Sequence, residues 1–406
     1  MPFFNSSAPT LHHASKTVRL RTRSTDTPIQ LSTFAAPLIP HFHANPLLFN
    51  GHLQTFWTAA KPHDPFVVHY ARRHFTHPVD GGHFAVDFVV PEFPASQASG
   101  DLPERTRHML PTEEEALGAE DNRPMLVALH GLSGGSHEVC VVNARGCAKS
   151  TITSKQLFNA RWTSDVREVV KYLRRVFPNR PLYGIGFSLG ANILTNYLGE
   201  EGAECELCAA VVCSNPWDLM INHKALMRSW LGREIYSKVM GTNMRALFEQ
   251  HFEQLVKDDR IDVEAVRRGR HLHEFDRDLT AKVFGYQTVG EYYRDASSTD
   301  SLLKVRVPLL VLHARDDPIA VDEAVPYDEA AANPYVFMAV TDGGGHLSWF
   351  ESDGGRWFAK PICNFLTAFE SDVVGVLPAV DWSEPVIEGA AEGNGHFDAS
   401  QSKKTI

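Results

Sequence analysis

"GIGFSLGANIL" (residues 184–194) joins an apolar run to a helical pattern through Gly186-Phe187-Ser188-Leu189-Gly190. A G-x-S-x-G alone is weak, because common residues produce it by chance in a long chain. Here a buried strand precedes it and a helix follows it, the setting in which a serine is held on a strained, exposed turn. The alternative is a glycine-rich turn with an incidental serine. The context favours Ser188 as a nucleophile.

The flanking sequence alternates between strands and helices. Residues 163–177 carry apolar side chains at helical spacing and predict an amphipathic helix. Continuous apolar runs are typical of strands that are covered on both faces, as in parallel sheets. Such runs occupy residues 125–131, 140–145, 181–187, 208–216, 307–314 and 335–340. The sequence therefore predicts an α/β fold with a mostly parallel sheet and helices on both faces.

The same patterns divide the chain into segments. Residues 41–370 are expected to form the α/β domain. Within it, residues 219–300 are rich in Met, Trp and Phe and contain no convincing strand, which predicts a helical, cap-like insertion. Residues 1–40 are expected to be an irregular N-terminal segment. The polar tail 383–406 is expected to be disordered.

A nucleophilic serine needs a base, and the base needs an orienting group. After such a turn the chain order is serine, acid, histidine, each beyond the end of a strand. His346 follows the run 335–340, and Asp316 and Asp317 follow the run 307–314. A surface histidine after a glycine turn is the alternative for His346. Spacing does not separate the two aspartates: one should face the histidine and the other should cap the turn.

Ester chemistry at a serine also needs backbone N–H donors for the oxyanion. Leu189, which follows the nucleophile, should supply one of them. Leu132, in the loop after "LHG", should supply the other. These two residues are the predicted oxyanion hole.

Composition excludes several other classes of protein. The net charge of −10 argues against a nucleic-acid partner, and no apolar run is long enough to predict a transmembrane segment. The six cysteines form no paired framework, and Cys205 and Cys208 lack the second pair that a zinc site needs. No metal site is expected. A cytoplasmic location is predicted, with peripheral lipid contact as an option.

Several motifs together resemble the AB hydrolase 4 family of the α/β-hydrolase superfamily, which includes YheT-like esterases and medium-chain fatty acid ethyl ester synthase/esterases. The resemblance covers about residues 43–370. It is carried by "NPLLFNGHLQT", "LHGLSGGSHE", "NARGCAKS", "GFSLGANILTNYLGEEG", "SNPWDL", "FGYQTVGEYYRDASS", "ARDDP" and "GGGH" before "LSWFE". It implies the α/β-hydrolase fold, Asp317 as the triad acid and chemistry on acyl esters without a cofactor.

One connection is too short for this fold. Only Ser136–Val139 lie between the glycine loop that ends at Gly135 and the apolar run that begins at Cys140. Parallel neighbours need a crossover of roughly a dozen residues or more, usually with a helix, and the family carries such a helix here. The helix between the third and fourth strands is therefore expected to be missing. A gene-model error, a splice variant or a true loss would each give this sequence.

The missing crossover leads to two alternative expectations. In the first, the run 140–145 keeps its place, and a taut link pulls Leu132 out of the oxyanion hole. In the second, the run leaves the sheet or pairs antiparallel. Either outcome predicts a weaker and less stable enzyme.

Three functions follow from these patterns. The first is a serine carboxylic ester hydrolase that acts on medium-chain acyl esters or glycerides through an acyl-enzyme. The second is an alcohol O-acyltransferase that makes medium-chain fatty acid ethyl esters, and the third is a chain impaired by the missing crossover. The expected partners are a small acyl ester and, for the second function, an alcohol acceptor.

The insertion 219–300 is expected to roof the site and form an acyl pocket. Met227 and Trp230 contribute to this pocket unless they only pack.

Overall fold

The computed structural model describes residues 6–61, 67–132 and 141–378. The strands in these ranges are β1 (Ser6–Ser7), β2 (Thr10–His12), β3 (Arg19–Thr22), β4 (Ile29–Gln30), β5 (Phe42–His43), β6 (His69–Thr76), β7 (His83–Val90), β8 (Thr106–His108), β9 (Met125–Leu129), β10 (Val141–Asn143), β11 (Leu182–Phe187), β12 (Leu207–Cys213), β13 (Leu309–Ala314), β14 (Val336–Thr341) and β15 (Val373–Leu377).

The helices lie mainly after β10. They are α1 (Leu31–Ala35), α2 (Gly51–Ala60), α3 (Pro111–Glu115), α4 (Ser164–Val176), α5 (Leu189–Glu201), α6 (Leu219–Arg228), α7 (Lys238–Gln250), α8 (Phe252–Leu255), α9 (Val263–Arg268), α10 (Leu272–Phe275), α11 (Ala281–Val283), α12 (Val289–Ala296), α13 (Thr299–Leu302), α14 (Tyr327–Ala332) and α15 (Ala359–Asp372). Two π-helical turns, Gly232–Ser237 and Asp276–Thr280, interrupt the helices between β12 and β13.

Ten strands form one sheet in the order β2-β14-β13-β12-β11-β9-β10-β7-β6-β8. The central neighbours β10, β9, β11, β12, β13 and β14 pair in parallel. β6 and β7 form the antiparallel hairpin that joins this block on its β10 side. The predicted α/β fold with a mostly parallel sheet is confirmed.

Both faces of the central strands are buried, which explains their continuous apolar sequences. Along β11, Leu182 packs into a core cluster with α4 and α5. Tyr183, Ile185 and Phe187 face the opposite cluster, which contains Phe365 of α15. The helices on each side therefore bury alternate residues of the same strand.

The segment between β12 and β13 contains helices α6 to α13 and no strand over residues 219–302. These helices have a core of their own. Phe248, Phe275 and Leu279 pack there against Leu157 and Phe158, which come from the loop after β10. We call residues 219–302 the cap.

The N-terminal segment differs from the expectation that residues 1–40 are irregular. β2 adds antiparallel to β14 at one edge of the large sheet, and β3 pairs with β4 and β15. Val18 and Leu20 are almost fully buried, so this segment covers a face of the sheet. The tail 383–406 lies outside the described residues.

The strands before and after the short connection, β9 and β10, lie side by side. β10 pairs parallel to β9, with Val141 opposite Ala128 and Val142 opposite Leu129. The expectation that this run leaves the sheet or pairs antiparallel to its predecessor is therefore wrong. Residues 133–140, where the crossover helix is expected to be missing, lie outside the described residues.

Among the helices of the described ranges, none has both the length and the apolar character needed to cross a bilayer.

The close contact between α5 and β9 predicts that a side chain at Gly190 would lower the stability of the fold. A Cβ placed on Gly190 would lie 2.2 Å from the carbonyl oxygen of Leu129 and 2.5 Å from that of His130. Because both atoms are backbone, Gly190→Ala should lower the free energy of unfolding by about 3 kcal/mol. Urea denaturation measures this loss. Gly100→Ala is the control, since nothing lies within 4 Å of its added Cβ. Equal midpoints for the two variants would contradict the prediction.

Candidate active site

Ser188 occupies the sharp turn between β11 and α5. Its backbone has φ 51° and ψ −118°, a conformation that costs free energy for any residue except glycine. The turn is held because the Ser188 amide donates to the Cys213 carbonyl oxygen at 2.9 Å. A Cβ on Gly186 would lie 2.6 Å from the carbonyl oxygen of Gly190. The absence of side chains on these glycines lets the strand and the helix approach closely.

The structure brings the three predicted catalytic residues together. His346 Nε2 lies 2.8 Å from Ser188 Oγ, and His346 Nδ1 lies 2.8 Å from Asp317 Oδ2. An ionised carboxylate only accepts hydrogen bonds, so this geometry assigns the proton of a neutral His346 to Nδ1. Nε2 is then the acceptor for the serine hydroxyl. The arrangement can take a proton from Ser188 while Asp317 holds the imidazole.

Asp317 performs both of the roles that the sequence divided between two aspartates. Besides His346, its Oδ1 accepts the backbone N–H groups of Ile319 and Ala320, each at 2.8 Å. Burial raises the pKa of Asp317, but the electrostatic interaction and hydrogen bond with His346 outweigh it, and the pKa lies below its ordinary value. Asp317 is therefore ionised near neutral pH although its side chain is fully buried.

Asp316 supports the loop that carries the histidine. Its Oδ1 accepts the backbone N–H of Gly345 at 2.9 Å. Burial raises the pKa of Asp316 to about 6, and the neighbouring Asp317 carboxylate adds to this shift. The two adjacent carboxyl groups thus have pKa values displaced in opposite directions.

Helix α2 also holds the histidine loop, a contact that sequence reasoning missed. The backbone N–H of His346 donates to Thr55 Oγ1 at 2.9 Å, and Gln54 Oε1 accepts the Phe350 amide at 2.8 Å. His52 Nδ1 lies 2.8 Å from the hydroxyl of Tyr236 in the cap. In the sequence, these contacts of α2 were indicated only by the motif "NGHLQT", which is one of those that carry the family resemblance. Helix α2 therefore connects the loop that carries His346 to the cap.

The two residues of the predicted oxyanion hole line the same cavity as Ser188. Leu189 is the first residue of α5, a position whose N–H has no acceptor within the helix. Leu132 follows Gly131, where an added Cβ would lie 3.4 Å from Ser188 Cβ. The loop after β9 therefore lies against the serine.

The cavity extends from Ser188 into the cap. The space in it that no protein atom occupies is about 830 Å³, and this volume includes open solvent at its mouth. Its apolar walls include Leu219, Leu226, Met240, Met244, Phe158 and Ile319. In the described part of the chain, the lining does not include Met227 or Trp230, the two residues singled out from the sequence. Trp230 is 64% exposed. The cavity is suited to an apolar chain next to a nucleophilic serine.

Comparison with known proteins agrees with this geometry. Residues 124–353 match the family model described as the alpha/beta hydrolase fold. The chain is 38% identical to a monoacylglycerol lipase of Saccharomyces cerevisiae, over 80% of each chain.

Two further relatives have related names. The chain is 32% identical to medium-chain fatty acid ethyl ester synthase/esterase 2 of the same yeast, over 88% of this chain and 93% of that protein. It is also 32% identical to phospholipase ABHD3 of Mus musculus, over 56% of this chain and 59% of that protein. The names share chemistry on lipid esters.

The raised pKa of Asp316 predicts a pH-dependent effect of Asp316→Asn. A carboxyl group with a raised pKa in the folded state ionises first in the unfolded chain, so it lowers stability as the pH rises from about 4 to about 6. The variant removes this loss and keeps an acceptor for Gly345. Its free energy of unfolding should exceed that of the parent only slightly near pH 4, and the difference should grow to about 1–3 kcal/mol by pH 7. Urea midpoints across this range measure the difference, and a difference independent of pH would contradict it.

Proposed function

This chain belongs to the α/β-hydrolase fold family, and on that premise we propose that it is a serine carboxylic ester hydrolase for medium-chain acyl esters or glycerides. One observation carries the proposal. Contacts of 2.8 Å run continuously from Asp317 through His346 to Ser188. This is the connection that turns a weakly nucleophilic hydroxyl into an attacking group.

The proposed reaction begins with attack of Ser188 Oγ on the acyl carbonyl carbon, while His346 Nε2 takes the hydroxyl proton. Asp317 stabilises the imidazolium, and the N–H groups of Leu189 and Leu132 donate to the tetrahedral oxyanion. Collapse breaks the ester C–O bond, and His346 gives its proton to the departing alcohol. Water then attacks the acyl-enzyme with His346 as base, which releases the acid and restores Ser188.

Two features support lipid esters as the substrate class. The cavity beside Ser188 is lined mainly by apolar side chains such as Leu226, Met240 and Met244, which suits an acyl chain. The relatives are named for monoacylglycerol and for medium-chain ethyl esters. The proposed medium length of the acyl chain rests on the name of the second relative.

Transfer of the acyl group to an alcohol is the second candidate. It is favoured by the 32% identity to a protein named as both an ethyl ester synthase and an esterase. The reaction uses the same acyl-enzyme, with an alcohol attacking in place of water.

Exposed apolar side chains support peripheral lipid contact. Leu47, Phe49 and Trp57 are 82%, 76% and 46% exposed and lie in or next to α2. Phe56 of the same helix stacks on Tyr236 of the cap, with ring centroids 5.7 Å apart. Apolar side chains on the surface beside a lipid-ester site suit contact with a lipid aggregate. A cytoplasmic location is supported by Cys147, Cys205, Cys208 and Cys363, which are free thiols as in a reducing compartment.

A fluorophosphonate probe tests the proposed nucleophile. The folded protein should bind one probe at Ser188, and intact-mass spectrometry with peptide mapping would locate the adduct. Ser188→Ala should lose labelling and at least about 10⁴-fold of the esterase rate. A denatured sample controls for nonspecific reaction. A folded protein that does not label would instead support the impaired chain that the short connection predicts.

Competition between water and ethanol separates hydrolysis from acyl transfer. If water is the acceptor, monooctanoylglycerol should give octanoic acid as the main product even at high ethanol concentration. If transfer dominates, the ratio of ethyl octanoate to acid should exceed the molar ratio of ethanol to water. Gas chromatography of both products measures the partition. Acid alone at every ethanol concentration would make the transfer hypothesis wrong.

A further inference from the structure

One part of the lining of the cavity beside Ser188 is a group of polar side chains that contact one another. It consists of His223, His273, Asp276, Thr280 and Tyr293, all of which line the cavity that contains Ser188. We call these five residues the polar wall. None of them takes part in the triad, so the proposed reaction leaves their presence unexplained.

Asp276 is the centre of the polar wall. It is 7% exposed, and its two oxygens accept the hydroxyls of Thr280 and Tyr293, each at 2.9 Å. Within the described ranges, Asp276 has no ion pair with a lysine or arginine. Burial raises the pKa of Asp276 to about 6. A buried carboxyl group without a countercharge costs free energy, which a packing role alone would not require.

The two imidazoles add unused hydrogen-bonding capacity. The rings of His223 and His273 lie 4.6 Å apart, and His223 lies 5.8 Å from the Tyr293 ring. His273 Nδ1 is buried and has no hydrogen-bond partner among the described residues. Burial lowers the pKa of both groups, to about 4 for His223. Both rings are therefore neutral near pH 7, and each offers one donor and one acceptor.

This chemistry selects among possible ligands. In the described part of the chain, the cavity lining contains no lysine or arginine, so a phosphate or a free carboxylate would have no cationic partner there. Neutral imidazoles can instead donate to and accept from a hydroxyl, and a carboxylate can accept from it. A few polar groups in a mainly apolar cavity usually fix the orientation of a ligand.

We propose that the polar wall binds a neutral hydroxyl group of the ester substrate and makes the enzyme prefer hydroxylated esters. The inference rests on the proposed ester hydrolysis and deepens it. The hydroxyl could belong to the alcohol part, as in a glyceryl ester, or to the acyl chain. Both sources present the same chemistry to His273 and Asp276.

Three substrates separate these sources: ethyl octanoate, monooctanoylglycerol and ethyl ω-hydroxyoctanoate. The parent enzyme should have a higher kcat/KM for at least one hydroxylated ester than for ethyl octanoate. His273→Phe keeps an aromatic ring but removes both ring nitrogens of His273. It should lower kcat/KM for the preferred hydroxylated ester about tenfold, the value of one lost hydrogen bond, and change that for ethyl octanoate less than about twofold. Loss on the glyceryl ester assigns the alcohol part, and loss on the hydroxyacyl ester assigns the acyl chain.

His271→Phe is the matched control, because it removes a nearby imidazole that does not line the cavity. It should leave the substrate preference unchanged. Asp276→Asn is the second variant and should reduce the same preference if it folds. Equal parent activity on all three esters, or a uniform loss in His273→Phe, would overturn the inference. Absence of hydrolysis and of probe labelling at Ser188 would overturn the proposed function instead, so the two failures are distinguishable.

Discussion

The close approach of two backbones at the β11–α5 turn is the constraint on which the site depends. Gly190 lies where any side chain would meet the carbonyl oxygens of Leu129 and His130, and this contact fixes α5 against β9. Ser188 then takes a backbone conformation that most residues avoid, which is tolerated because the surrounding structure determines it. Since β11, β13 and β14 run parallel in one block, with β12 between β11 and β13, their carboxyl ends lie at the same edge of the sheet. The serine, the acid and the histidine loop therefore come from distant segments yet lie within hydrogen-bond distance.

The adjacent carboxyl groups at 316 and 317 illustrate how local environment assigns different tasks to identical side chains. Asp317 accepts from an imidazole and from two backbone amides, so its charge is satisfied although it is buried. Asp316 accepts the amide of Gly345 instead, and burial shifts its pKa upward. One group is held ionised beside His346, and the other supports the loop at a cost in stability that depends on pH.

The sequence allowed the sheet to be predicted because its strands are continuous apolar runs and its helices α4 and α5 are periodic. The short strands β2 to β4 were missed, since two to four residues such as "RLRT" carry too little pattern and their burial comes from tertiary contacts. The proximity of Ser188, Asp317 and His346 could be predicted from chain order, which follows from strand topology. The bracing by Thr55 could not, because the contact joins residues 291 apart in sequence. In the cap, spacing alone did not reveal that Met240 and Met244 would face the cavity while Trp230 faces solvent.

The two π-helical turns of the cap supply part of the polar lining of the cavity. A π-helical turn adds a residue to the repeat and so rotates the following side chains relative to a regular helix. The first, Gly232–Ser237, carries Tyr236, which contacts His52 of α2, and Ser237, which lines the cavity. The second, Asp276–Thr280, places both of its end residues in the polar wall, where they bond to each other. The π-helical turns thus contribute Ser237, Asp276 and Thr280 to the cavity lining, whereas the other residues of the polar wall come from α6, α10 and α12.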